Sequence, residues 1–210
     1  MSDPALTLMQ WLSPAFPVGA FAYSHGLEQA VADGQVTDDA SLQDWIAVLI
    51  TEGSGKADAV LLSAAYQSDT PEQIDATARA FAASAERLKE SDLQGAAFCD
   101  TARAVWNIPI SGFTYPVAVG AAARAKDVPL AQTLPLYLHA FASNLVAAAQ
   151  RLMPLGQTAG QKVLANLAPI IAATASNAQK ASVDDLSATS FAADIAAMRH
   201  ETLTHRIFRT

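Results

Sequence analysis

Apolar residues recur at helical spacing along most of this chain, and the clearest run is Leu134 to Ile171. Leu134, Leu138, Phe141, Leu145 and Leu152 form one stripe at a period of about 3.6 residues. The alanines between them favour helix and let neighbouring helices approach closely. Met153-Pro154-Leu155-Gly156 interrupts the pattern, because Pro154 and Gly156 punctuate a helix. A second stripe follows at Val163, Leu164, Leu167 and Ile171. The spacing predicts two long helices joined by a tight polar corner, with the remaining helices packed around them.

The same reading runs through the rest of the chain. Leu6 to Leu12 is a short apolar segment ending at Ser13-Pro14. Pro14, Pro17 and Gly19 exclude regular helix until about Ala20, and a helix is expected from there to Asp33, with Gly34 as its stop. Phe21, Leu27 and Val31 supply its apolar positions, while Tyr23, Ser24 and His25 make its start unusually polar. Ser41 with Asp44 suggests an N-cap for the helix carrying Leu42, Trp45, Ile46 and Leu49. Further helices are predicted at Asp58 to Gln67, Ile74 to Leu88, Leu93 to Trp106 and Val117 to Arg124. Gly53-Ser54-Gly55-Lys56 is read as a flexible break, since Ile50 and Ala57 stand where a phosphate loop needs glycine and a hydroxyl. No strand alternation and no short repeat is present. The expectation is an all-α, single-domain multi-helix bundle over residues 1–210.

Composition sharpens this picture. Hydrophobic residues make up 51% and charged ones only 16%, so a large core is available and less polar surface than a free monomer usually carries. That balance suggests a buried partner surface. A formal net charge of -7 weighs against nucleic acid or an acidic membrane as the main partner. One cysteine, Cys99, excludes an intrachain disulfide framework. The start has no basic, continuously apolar leader and no stretch reaches membrane-spanning length, which points to the cytoplasm.

Complete catalytic patterns are missing. His200 and His205 are five residues apart, so a helix turns them away from each other, and they are weak metal candidates even with Glu201 near His205. Ser24 and His25 are adjacent, which is awkward for a nucleophile and its base. Glu28, three residues after His25, reads as a helix-surface contact. A small hydrolase or metal-dependent enzyme using Ser24, His25 or the tail histidines is the alternative function.

Three stretches carry a family resemblance. LSPAFPVGAFAYSHGLEQAV at Leu12 to Val31, RLMPLGQTAGQKVL at Arg151 to Leu164 and DIAAMRHETLTHRIFRT at Asp194 to Thr210 resemble the signatures of the urease accessory protein UreF family. Their order and spacing agree across nearly the whole chain. The resemblance implies an all-helical, non-catalytic scaffold that forms a homodimer and binds the UreD/UreH accessory protein. That assembly would recruit the GTPase UreG and deliver nickel to apo-urease, with no cofactor held tightly by this chain.

The expected partner-facing residues are Tyr23, His25, Arg199, His200, Arg206, Phe208 and Arg209. Pro154, Gly156, Gln157 and Gln161 form an expected structural or interface turn, with both glutamine amides on one side. Residues 191–210 are read as a mobile partner-binding tail, set off by the polar linker Ser182 to Ser190 and basic in an acidic chain. Arg199 and Arg206, seven apart, would share a helical face there.

Overall fold

A computed structural model describes residues 3–209, and among them the regular structure is helical with no strand. The helices are α1 (Pro4–Trp11), α2 (Leu27–Ala32), α3 (Asp39–Glu52), α4 (Ser54–Gln67), α5 (Pro71–Phe81), α6 (Ala85–Trp106), α7 (Tyr115–Ala125), α8 (Leu130–Leu152), α9 (Gln157–Ala178) and α10 (Phe191–His200). Short 3-10 turns occupy Ala20–Ala22 and Val183–Asp185. The all-α expectation holds. None of the described helices is long and apolar enough to cross a membrane.

The pair predicted from the Leu134 to Ile171 pattern is α8 and α9. Leu134, Leu138, Phe141 and Leu145 are buried on one, and Val163, Leu164, Leu167 and Ile171 on the other. Gly160 lets the two backbones close, since a Cβ there would lie 2.8 Å from both the Val146 and the Gln150 side chains. The corner itself is surface: Pro154, Gly156, Gln157 and Gln161 are exposed, and Gln150 donates to the Gln157 amide oxygen at 3.3 Å.

The deepest layer lies elsewhere, in α4 and α7. Residues Ala57 to Ser63 of α4 and Pro116 to Ala123 of α7 are buried in unbroken runs, the mark of helices enclosed on all sides. Their small residues allow backbone contact. A Cβ on Gly120 would sit 2.3 Å from the Leu62 carbonyl oxygen, closer than any side chain tolerates. Around this layer an aromatic group closes one end of the core. Trp11 meets Phe98 edge-on at 5.5 Å and Trp106 at 5.7 Å, and Phe16 meets Phe98 at 5.5 Å.

Several predicted boundaries are corrected. Asp38, not Ser41, is the N-cap of α3; Asp38 accepts from Ser41 N at 2.9 Å while the Ser41 hydroxyl accepts from Asp38 N. Gly53 alone separates α3 from α4, so the Gly53 to Lys56 stretch is a one-residue break and not a flexible loop. The helix expected over Ile74 to Leu88 ends at Phe81. Ser84 then caps α6, its hydroxyl accepting from Arg87 N at 3.1 Å, and α6 continues unbroken to Trp106. Polar residues on α6 diluted its stripe and hid this start.

The α4–α7 contact makes a direct prediction. Gly120→Ala forces the two helices apart, and overpacking of this kind costs about 1–3 kcal/mol. Thermal unfolding should show a lower Tm with helicity retained below the transition; an unchanged Tm would mean the helices are not seated this closely.

Candidate functional site

The N-terminal signature does not form the single helix expected over Ala20 to Asp33. Gly19 begins the 3-10 turn at φ 70°, Tyr23 is extended, and His25 and Gly26 take positive φ before α2 starts at Leu27. Gly26 serves two needs. Its φ of 77° suits glycine, and a Cβ there would lie 2.8 Å from Ala197 N, so α10 rests on bare backbone. Phe21, expected on a buried stripe, is instead 71% exposed.

This bend aims Glu28 inward, where it grips the end of the chain. The Glu28 carboxylate lies 3.0 Å from His200 Nε2 and accepts from Ile207 N at 2.6 Å and Phe208 N at 2.9 Å. His200 is fully buried, and its Nδ1 lies 2.8 Å from Glu86 Oε2. A neutral imidazole donates from one nitrogen only, so both contacts are hydrogen bonds when both nitrogens carry protons. Glu86 also pairs with Arg206. Burial works to raise the Glu28 carboxyl, but the hydrogen bonds from His200, Ile207 and Phe208 outweigh it and hold it below the usual carboxylate range.

Two further contacts complete the seat. Arg209 N donates to Ala22 O at 2.8 Å, so the last described residue is tied to the N-terminal bend. Arg151, from the end of α8, donates to Phe21 O at 3.0 Å and lies 4.3 Å over the Phe208 ring. Phe208 is buried beneath it. Burial, with the Glu90 charge, raises the Tyr23 phenol, and its hydrogen bond with Arg209 offsets part of this. The three signature stretches, far apart in sequence, therefore meet at one place.

The described part of the tail, residues 191–209, packs on the body. Ser190, Ala193, Ala196, His200 and Phe208 are buried, and Thr189 N donates to Glu52 O at 3.0 Å. The shared helical face of Arg199 and Arg206 is absent: α10 ends at His200, Arg199 pairs with Asp33, and Arg206 with Glu86. His200 and His205 are not brought together as ligands, since His200 is enclosed and His205 exposed. Glu201 accepts from Ala85 N at 3.0 Å instead of meeting His205.

A second buried polar network lies beside this seat. His25 Nε2 is 3.1 Å from Glu90 Oε1, and Arg87 reaches Glu90 Oε2 at 3.2 Å. Arg87 also donates to both Asp58 oxygens at 2.7 and 2.6 Å, and the Tyr137 hydroxyl donates to Asp58 at 2.8 Å. Burial opposes ionisation of Glu90, but the His25 and Arg87 charges prevail and bring it down to about 2. The Ser24–His25 pair of the alternative hydrolase reading is not assembled. Ser24 is fully buried, its Oγ accepts from Glu28 N, His25 Nε2 faces Glu90, and His25 Nδ1 has no hydrogen-bond partner. No group of three or more His, Cys, Asp or Glu side chains among the described residues is placed to hold a metal ion.

Glu28, Glu86, Arg151 and the Asp58–Arg87–Glu90 cluster escaped the sequence reading. Glu28 was read as a surface contact to His25. A signal for Asp58 was present: it is a lone charge within the apolar run Ala57 to Ala65. Arg87 and Glu90 stand three apart, a spacing common on solvated faces, so nothing local marked them as buried.

This geometry defines an all-α protein whose N-terminal bend, end of α8 and C-terminal tail interlock around buried charge. The UreF family model matches residues 36–168. Over the full length, the chain is 58% identical to a urease accessory protein UreF from a Ruegeria species, covering 100% of this chain and 99% of that one. It is 53% identical to the UreF of Roseobacter denitrificans, covering 100% and 95%, and 45% identical to that of a Bradyrhizobium species, covering 100% and 94%. The chain belongs to the UreF family.

Glu28 sets the prediction from this site. Its depressed carboxyl contributes stability that is present above the ordinary carboxylate range and lost as pH falls through its lower folded value. Glu28→Gln removes the charge that holds three donors. Amide exchange at Ile207 and Phe208 should accelerate by about 10- to 100-fold at pH 7, the scale of a lost charged hydrogen bond. In the parent protein the same amides should lose protection on acidification. Protection independent of both changes would show that Glu28 does not hold the tail.

Proposed function

We propose that this chain is a non-catalytic urease accessory scaffold working in the cytoplasm as a homodimer. In this reading it binds the UreD/UreH accessory protein, recruits the GTPase UreG, and helps deliver nickel to apo-urease. Membership of the UreF family and the urease accessory role named for its relatives support it. The observation that carries the scaffold reading is the convergence of the three signature stretches on the Glu28–His200 seat. Their charged groups are used to hold backbone, which is the economy of a binding surface and not of a reacting centre.

The tail is the proposed UreD/UreH-binding element, presented in a fixed shape. Tyr23, His200 and Phe208 form its inner side, while Phe21, Arg206, Ile207 and Arg209 remain exposed for a partner. An apolar residue between two arginines offers both buried area and directional hydrogen bonds. A preformed tail also lowers the ordering cost of association. Nickel is cargo of the assembly in this account, and His200 serves the seat.

Ile207 separates these roles, because its N–H holds the tail while its side chain is 57% exposed. Ile207→Asp should leave Tm within about 2 °C and weaken co-purification with UreD/UreH at least about tenfold, the effect of a lost interface anchor. Unchanged binding would move the partner surface elsewhere. A deletion strain of a ureolytic host should lose urease activation without added nickel and regain it with this chain; activation that persists in the deletion strain would sink the accessory reading. Calorimetry of the isolated protein with nickel should show no stoichiometric submicromolar site, and such a site would make nickel a resident ligand.

A further inference from the structure

Among the described histidines only His200 is fully buried. Each of its ring nitrogens meets a carboxylate from a different helix. Nε2 lies 3.0 Å from Glu28 Oε2 of α2, and Nδ1 lies 2.8 Å from Glu86 Oε2 of α6. Arg206 of the tail bonds the other Glu86 oxygen. The charged neighbours of His200 in sequence are engaged elsewhere: Arg199 with Asp33 at 3.4 Å, and Glu201 with Ala85 N at 3.0 Å.

An imidazolium donates to both carboxylates, whereas a neutral ring donates to one. The second nitrogen of a neutral ring carries a lone pair, and either tautomer sets that lone pair against a carboxylate oxygen. Glu28 does not relieve the clash by taking up the proton, because its hydrogen bonds hold its carboxyl below the usual range. The same Glu28 carboxylate receives Ile207 N and Phe208 N, so the clash falls on the group that holds the tail. His25 is the contrast. Its Nε2 meets Glu90 at 3.1 Å and its Nδ1 has no hydrogen-bond partner, so a neutral ring keeps the one contact it makes.

We infer that the tail seat is a proton-dependent latch, closed by the His200 imidazolium between Glu28 and Glu86 and opened when that ring loses a proton. Closed, two carboxylates face two cations, His200 and Arg206; open, they face one. This stabilisation is present on the acid side of the His200 titration and is lost as pH rises through it. The Glu28 carboxyl sets the opposite limit, since the seat loses its acceptor when that group is protonated. The tail is held between the two. The coupling belongs to the chain itself and holds whatever the tail binds.

Two NMR readouts on the full chain test this between about pH 5 and 9.5, a range that spans histidine titration. Nitrogen-15 shifts of the assigned rings follow the protons, and amide exchange follows the tail. Protection of Ile207 and Phe208, referred to peptide exchange rates at each pH, should fall at least about tenfold with the midpoint of the His200 titration, the scale of a lost charged hydrogen bond. Protection that stays constant through that titration, or that follows His25 instead, overturns the latch. A His200 ring that is neutral across the whole range also overturns it. Glu86→Gln supplies the second arm. The new amide can donate to Nδ1 of a neutral ring while Nε2–H still serves Glu28, so the alkaline loss should shrink to less than about twofold. A loss as large as in the parent protein overturns the proposal.

Discussion

The buried ion pair between Arg87 and Asp58 is the constraint on which the rest of the structure depends. A guanidinium in the core is tolerable only when its donors meet fixed acceptors, and here it has two carboxylates, Asp58 from α4 and Glu90 from its own helix. Tyr137 from α8 and His25 from the N-terminal bend bond the outer sides of those carboxylates. Four segments are therefore fixed in register by one cation. Apolar packing alone defines the register of an alanine-rich helix such as α4 against α6 and α8 only weakly. The ionic cluster removes that freedom, because any slip leaves a charge unpaired in the core.

The same helical turn controls the tail. Ser84 caps α6, Glu86 faces His200 and Arg206, and Arg87 and Glu90 face the core. Glu201 returns from beyond α10 to accept from Ala85 N. Residues 84 to 90 thus hold the interior on one side and the tail on the other. The first turn of α6 links the core network to the described part of the tail.

Sequence periodicity identified the fold class because it reports burial along one helix at a time. The α8 and α9 stripes are strong for that reason, and their corner at Pro154 to Gly156 is marked by the residues that break helices. What it could not report is which charged residue ends up inside. Glu28 and Glu90 look like members of solvated helix faces, and α10 packs over the two helices that carry them, α2 and α6. The family signatures located the right stretches without saying that they touch. Gly26 was the local clue to the break before α2, yet its importance comes from Ala197, distant in sequence, lying against its backbone. The polar linker and basic charge likewise say nothing of the buried Glu28 carboxylate that receives the tail.

A tail held this way differs from both a free peptide and an ordinary helix. Its backbone anchors are N–H groups received by Glu28, which leaves the Ile207 side chain unused by the seat, while Arg206 pairs with Glu86 and Arg209 with Tyr23. Phe208 alone turns inward, under Arg151. Sequence in the exposed positions can therefore answer to a partner while the seat answers to the fold. The dependence is mutual, because Ala22 O and Phe21 O are themselves bonded by Arg209 and Arg151. The N-terminal bend and the C-terminal tail stabilise each other, and disruption of either one alters the surface formed by both.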